Sequence, residues 1–555
     1  MQPVSSVTAL ADEFVDLLFE TEPLSAVLLG VDTTRTGLGD VRETTEQEYR
    51  AALERLVQRA TAIEPDGLGG QDRITREVLI NQANSRIAQL DTRQVEFTIS
   101  DLFVAPAPGL LTLLPMVSVR DAEEGRAQLD RLSAIPAFLE RHAERHRAGV
   151  AAGRTPVARL VRASVDHIDR YLAEPDNDPL SRQTAPDADF AALRDEVLRD
   201  VVRPAFAAYR DVLRDEILAH GRPDDRPGLC HLPNGDAVYA ALARVHTTTD
   251  RGPEDLHQTG LDCLARLADE YAEIGGRALG TTDLGEIFTR LRTDPELRWK
   301  DADDLLDTAR AAIVRAEREA PNWFGHIPPQ PWVVEPVPAA DAPGAPGAFY
   351  VQSPADGSRP GTYFANTHQV TERFRHTAEA TAFHEVIPGH HFQISTALNL
   401  TDLPMLRRIS DCNAYIEGWG LYTERLAVEM GLYSDDVALL GMLSMDSVRA
   451  SRLVVDTGLH ALGWTRQQAI DFMERNTPMA MVEIVAEVDR YISYPGQALS
   501  YMVGRLEIQR LRAEAAAALG ERFDVREFHD LVLGGGALPM TVLEGAVRDW
   551  VAARR

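Results

Sequence analysis

The sequence predicts a mainly α fold: one large helical body with a small β-sheet inserted in its second half. Three observations predict it. Through the first 320 residues, apolar positions recur three or four apart with Arg, Asp and Glu between them, the period of helices that bury one face. Between Ala320 and Tyr363 the composition turns to Pro, Gly and Ala, and short extended pieces replace the helical period. From about Glu372 helical spacing returns and continues to the C-terminus.

Taken in order, the N-terminal stretch MQPVSSVTALADEFVDLLFE has no basic lead, and Asp12, Glu13 and Asp16 interrupt its apolar positions. It reads as an amphipathic helix rather than a secretory signal. Helices are expected over 48–63, 74–90, 121–148, 190–219 and 260–274, with loops marked by Pro and Gly at 174–186 and 221–228. Strands are expected at 332–337, 348–352 and 361–366, the last following the turn-like ADGSRPG. The chain so divides into a helical scaffold half (1–320), a sheet segment lining the site (321–370) and a helical catalytic half (371–555), intertwined as one structural unit.

Composition then bounds the function. Hydrophobic residues make up 45% of the 555 residues and charged residues 26%, enough for a sizeable core and against general disorder. No run approaches the roughly 18 apolar residues of a membrane span. Lys and Arg number 57 against 85 Asp and Glu, a net charge of -28. Such a surface repels phosphate backbones and anionic lipid, which argues against nucleic acid and membranes as partners. Cys230, Cys263 and Cys412 are far apart, odd in number and without metal-ligand spacing, so a reducing, cytoplasmic location is expected. A homodimer is compatible with this reading.

The sharpest chemical signal is TAFHEVIPGHHFQ at 381–393, where His384 and Glu385 are followed closely by His390 and His391. A catalytic zinc needs imidazole and carboxylate ligands and an open position for water, and a glutamate beside the first ligand can act as general base. The spacing departs from H-E-x-x-H, because the i+4 position is Pro388. On an unbroken helix His391 would share the face of His384 but lie about 10.5 Å along the axis, too far for two nitrogens each about 2.1 Å from one ion. If Pro388 and Gly389 bulge outward, His390 takes the i+4 slot. His384 and His390 are therefore the favoured ligands, with His391 beside them as a supporting or substrate contact; the reverse order stays open.

Downstream, NAYIEGWGLYTERL (413–426) sets Glu417 among Tyr415, Trp419 and Tyr422, with Glu424 two turns on. A carboxylate among apolar neighbours must be paired or hold a metal. Glu417 is the expected third ligand, and Glu424 could orient a ligand from behind. In EVDRYISYPGQALSYMVGR (487–505), Tyr494, Tyr501, Arg490 and Arg505 are candidates for stabilising a developing oxyanion. RLVVDTGLH (452–460) adds Arg452, Asp456 and His460, equally readable as a buried polar trio. Arg452, Arg490 or Arg505 could instead grip a substrate carboxylate.

These motifs, together with RPGTYFANT, LPNGDAVYAALARVHTTTD and FVDLLFETEPLSAVLLGV, make the chain resemble the DUF885 family of bacterial proteins along nearly its whole length. The resemblance implies a zincin-like, gluzincin-type body similar to M32 carboxypeptidases and M3 oligopeptidases, with a deep groove between helical halves. It implies one zinc ion on His384, His390 and Glu417, with Glu385 as base. The strand at 361–366, with Tyr363, would line the groove and bind a peptide by strand addition. The departure is the two-residue Pro-Gly insertion. The expected function is zinc-dependent hydrolysis of an amide, in a peptide acted on in carboxypeptidase or oligopeptidase fashion. The alternatives are a small non-peptide amide substrate and a non-catalytic helical binding protein.

Overall fold

The structure is a computed structural model that describes residues 6–338, 342, 346–353 and 359–555. It is mainly α-helical with one three-stranded sheet. The elements that position the site are helices α1 (Ser6–Thr21), α2 (Gly70–Thr92), α3 (Gly235–Thr247), α4 (Pro253–Ala278) and α5 (Ala302–Glu319), then strands β1 (Trp332–Pro336), β2 (Ala348–Val351) and β3 (Gly361–Ala365). After the sheet come α6 (Ala378–Glu385), α7 (His390–Leu398), α8 (Asn413–Glu429), α9 (Asp436–His460), α10 (Met481–Ser493) and α11 (Ser500–Leu519).

The helical period predicts these elements well. In α1 the buried residues are Val7, Leu10, Ala11, Phe14, Val15 and Phe19, one stripe at three- and four-residue spacing. Two expected helices are interrupted. The segment 121–148 is two helices, Ala122–Ser133 and Ile135–Ala151; Pro136 sits in the first turn of the second, where its missing N–H costs nothing. The segment 190–219 carries wider π turns at Leu198–Val202 and Leu213–Ile217, the first lying just before Pro204, which cannot donate to the preceding turn.

The strands fall where the composition shift predicts them, in the order β1-β3-β2. β3 pairs parallel with β1, Tyr363 facing Val334, and antiparallel with β2, Tyr363 facing Tyr350. This corrects one expectation. β3 is the central strand, so both its edges are already bonded and it cannot take a peptide by strand addition. An added strand would have to pair with β1 or β2.

The largest core cluster unites residues far apart in sequence, including Phe14, Leu53, Ile313, Phe383, Trp419 and Phe528. α9 is buried on every side from Leu440 to His460. α8 and α11 touch backbone to backbone: a Cβ on Gly504 would lie 1.7 Å from the Ala414 carbonyl oxygen, and one on Gly418 would lie 2.4 Å from the Gly504 Cα. Among the described residues no helix is long and apolar enough to cross a membrane.

Candidate metal centre

The Pro-Gly insertion acts by ending a helix, not by bulging one. α6 stops at Glu385, the chain turns through Val386 to Gly389 with a cis Ile387–Pro388 peptide, and α7 begins at His390. Gly389 is required by space, since a Cβ there would lie 1.8 Å from the His384 carbonyl oxygen. α8 holds the turn from outside. The Trp419 indole N–H donates to the Pro388 carbonyl at 2.9 Å, and the Thr423 hydroxyl donates to the Phe383 carbonyl at 3.2 Å. The second satisfies a carbonyl that the end of α6 leaves free, and the first a carbonyl of the turn itself. The rings of His384 and His390 meet at 4.6 Å, nearly perpendicular at 86°.

One residue of α8 completes the set. Glu417 Oε2 lies 3.6 Å from His384 Nε2 and 3.4 Å from His390 Nε2. The three donor atoms are all within 4.8 Å of one another. Ligands at about 2.1 Å around a tetrahedral ion stand about 3.4 Å apart, so the side chains present fit a zinc-sized cation. His384 is fixed further: its Nδ1 is 2.8 Å from Glu424 Oε1, the carboxylate–imidazole arrangement that orients metal-binding histidines. Its ring packs flat on α8 because position 420 is glycine; a Cβ there would come within 2.6 Å of the imidazole.

The electrostatics match. Burial disfavours a charged His384, but Glu417 and Glu424 outweigh it and push the ring up to about 9. Burial also raises the Glu385 carboxyl above its ordinary range, against the opposing pull of His384 and His390. Burial, reinforced by the Glu385 charge, raises the Tyr363 phenol well above its usual value, so Tyr363 of β3 stands by the candidate base. Three carboxylates, Glu417, Glu424 and Glu385, act on the His384 ring, and the guanidinium of Arg449 lies 3.7 Å from Glu424.

The structure places the two neighbouring histidines differently. His391 spends both ring nitrogens elsewhere, Nδ1 at 2.8 Å from the Tyr350 hydroxyl and Nε2 at 3.1 Å from the Gln330 carbonyl. It ties the sheet to α7, outside the group formed by His384, His390 and Glu417.

The remaining candidates separate. Burial, reinforced by the Glu417 charge, raises the Tyr501 phenol, and the Arg452 guanidinium carbon lies 4.5 Å from the Tyr501 ring centre. Arg452 and Arg490 both bond Glu487. Tyr494 packs edge-on against His246 at 5.2 Å. It lines a cleft of about 500 Å³ with residues of α1 and α2 such as Thr21 and Leu90, and burial and Asp411 push its phenol up to about 12. Arg505 is corrected: its Nη1 bonds both carboxylate oxygens of buried Asp446, at 2.6 and 2.7 Å, so it is committed to the core and not available to substrate. Asp456 and His460 are also structural. Asp456 accepts from Tyr239 at 2.6 Å and from the Gly496 N–H. His460 joins the Leu229 N–H to the Tyr491 carbonyl. Sequence reasoning missed Arg449, Glu487, Gln497, Trp419 and Thr423. For Arg449 the signal was there, three residues before Arg452 on one helix.

A family model described as "Bacterial protein of unknown function (DUF885)" matches residues 23–547. No curated protein matches the chain. The fold is similar to a crystal structure from Colwellia psychrerythraea described as a "putative lipoprotein", with a TM-score of 0.90 and 28% identity, covering 99% of this chain and 100% of that one. It is also similar to a structure from Shewanella oneidensis described as a "putative lipoprotein of unknown function", with a TM-score of 0.75 and 18% identity over 98% and 99% of the two chains.

Proposed function

We propose that this chain, which belongs to the DUF885 family, is a zinc-dependent hydrolase that cleaves an amide bond, with short peptides as substrates. The observation that carries this reading is the convergence of His384, His390 and Glu417 on one ion-sized space, with Glu385 next in sequence to the first donor. Two histidines from one motif and a glutamate from the next helix are the donor set of gluzincins, which supports a zincin-like classification. When bound, zinc would polarise the scissile carbonyl and lower the pKa of a water. The protein's own groups do the rest. Glu385, its carboxyl raised by burial, takes a proton from the attacking water. It returns that proton to the amine as the C–N bond breaks, so that water is divided between the acid and amine products. Glu424 holds His384 in register, and Tyr501 supplies a phenol O–H toward the carbonyl oxygen as charge develops there.

Metal analysis with activity tests this. The parent should hold about one zinc, and His384→Ala and Glu417→Ala should lose it while staying folded. Glu385→Gln should keep the metal and lose roughly 10²–10⁴-fold in hydrolysis of a peptide library. A parent that takes up no zinc would overturn the reading. The three cysteines are unpaired, which supports a reducing compartment, while two solved relatives are described as lipoproteins; cell fractionation distinguishes the two locations.

A further inference from the structure

We infer that this site selects substrates ending in a free carboxylate, gripped by Arg452 and Arg490 beside Tyr501. The cleavage this implies rests on the hydrolase reading above; the binding does not.

The argument begins on α9. Arg449 and Arg452 are three residues apart, so they lie on one face of the helix. Arg449 reaches the metal centre from behind, its Nη2 3.7 Å from the Glu424 oxygen that holds His384. Both guanidiniums lie against the ring of Tyr501, Arg452 at 4.5 Å and Arg449 at 5.8 Å from its centre. Tyr501 feels the Glu417 charge. The arginine cluster is therefore tied to the metal centre through Arg449 and Glu424, with the Tyr501 ring against both arginines.

Its hydrogen bonds are unbalanced. Arg452 donates from Nε and Nη2 to Glu487 Oε2 at 3.1 and 2.8 Å. Arg490 donates to the same carboxylate at 3.0 and 3.1 Å. Tyr491 adds its hydroxyl at 2.5 Å. One carboxylate thus serves two guanidiniums and a phenol. The third nitrogen of Arg452, Nη1, is buried and has no hydrogen-bond partner among the described residues, in a residue only 8% exposed. Arg490 turns its Nη1 to Gln497 at 2.8 Å, so the two guanidiniums have one hydrogen-bonded carboxylate between them. A buried guanidinium with an unpaired nitrogen is costly in any protein, and this one sits in a chain of net charge -28. A single carboxylate has the charge to neutralise it and the fork geometry to engage it. In a peptide, the group of that kind found one residue beyond a scissile amide is the C-terminus.

The test compares matched ligands on the zinc-loaded protein. Calorimetric titration with an N-acetyl amino acid and with its amide should show binding of the acid alone. Arg452→Gln should weaken that binding by about 30-fold or more, the usual effect of removing one partner of a buried charged pair. Glu487→Gln, which frees both guanidiniums from their internal partner, should tighten it. In turnover, acylated peptides with a free C-terminus should exceed their C-terminal amides by about 100-fold in kcat/KM, with Arg452→Gln raising KM for the acid and drawing the ratio toward one. Equal binding of acid and amide by the parent would overturn the inference, as would undiminished acid binding by a folded Arg452→Gln. Selective acid binding with no peptide cleaved would uphold the carboxylate site and sink the hydrolase reading instead.

Discussion

Two sets of buried histidines divide this molecule. At the metal centre, His384 faces the carboxylates of Glu417 and Glu424, which push it up to about 9 against its burial. In the scaffold, His142, His246, His460 and His529 are each driven by burial down to about 4. The partners of the scaffold rings are neutral groups: the Phe138 carbonyl for His142, the Asn413 amide for His246, the Leu229 N–H and Tyr491 carbonyl for His460, and the Trp323 carbonyl and Tyr422 hydroxyl for His529. The same side chain is built as a cation holder in one place and as a neutral peg in the other. Burial is common to both, so what distinguishes them is whether a carboxylate shares the space.

The largest effect that would sharpen this contrast comes from replacing adjacent histidines. His390→Ala should abolish zinc binding, whereas His391→Ala should keep one zinc by metal analysis and lose only the tie between α7 and the sheet. Loss of metal in both would erase the distinction. Next in size, Asp446→Ala strands Arg505 in the core, while Arg425 keeps Glu270, and should cost about 3–5 kcal/mol of unfolding free energy. Denaturant melts would read this, with zinc content retained in the folded fraction. Glu424→Gln should lower zinc affinity by about 10- to 100-fold, measured by competition with a chelator, without unfolding the chain.

The pegs predict a pH dependence. Their folded pKa values near 4 lie below the unfolded value of about 6.5. The unfolded chain therefore takes up protons that the native state refuses. Stability should be complete above pH 6.5 and fall as the pH drops toward 4, by up to about 1.4 kcal/mol per pH unit for each histidine. Thermal melts of the zinc-loaded protein check this, since the metal removes His384 from the balance. A flat Tm between pH 7 and 5 would contradict it. The smallest effect is that of Trp419→Phe, which keeps the packing but frees the Pro388 carbonyl, at a cost of about 1 kcal/mol.

Local pattern made much of this legible in the sequence. The three strands announce themselves by the shift to Pro, Gly and Ala, and the helices by their apolar period. His384, His390 and Glu417 stand out because imidazoles cluster around one glutamate and because a carboxylate lies among Tyr415, Trp419 and Tyr422. Distant pairings were not legible. Arg505 reads as a free cation until Asp446, 59 residues away, is set against it. His391 is ambiguous until Tyr350 of β2 takes its Nδ1. β3 reads as a substrate-lining edge until β1 and β2 close on both sides. The insertion reads as a bulge because nothing local reveals that α8 will hold the broken end of α6.

That helix has one further consequence. From 417 to 424 every position of α8 is committed: Glu417 to the ion's space, Gly418 to α11, Gly420 to the His384 ring and Trp419 to the turn. Leu421 belongs to the core, Tyr422 to His529, Thr423 to the end of α6 and Glu424 to His384. An ordinary buried helix leaves a solvent face on which substitutions drift freely. Here there is none, so a saturation scan across these eight positions should return an unbroken block of intolerance where most helices return a stripe.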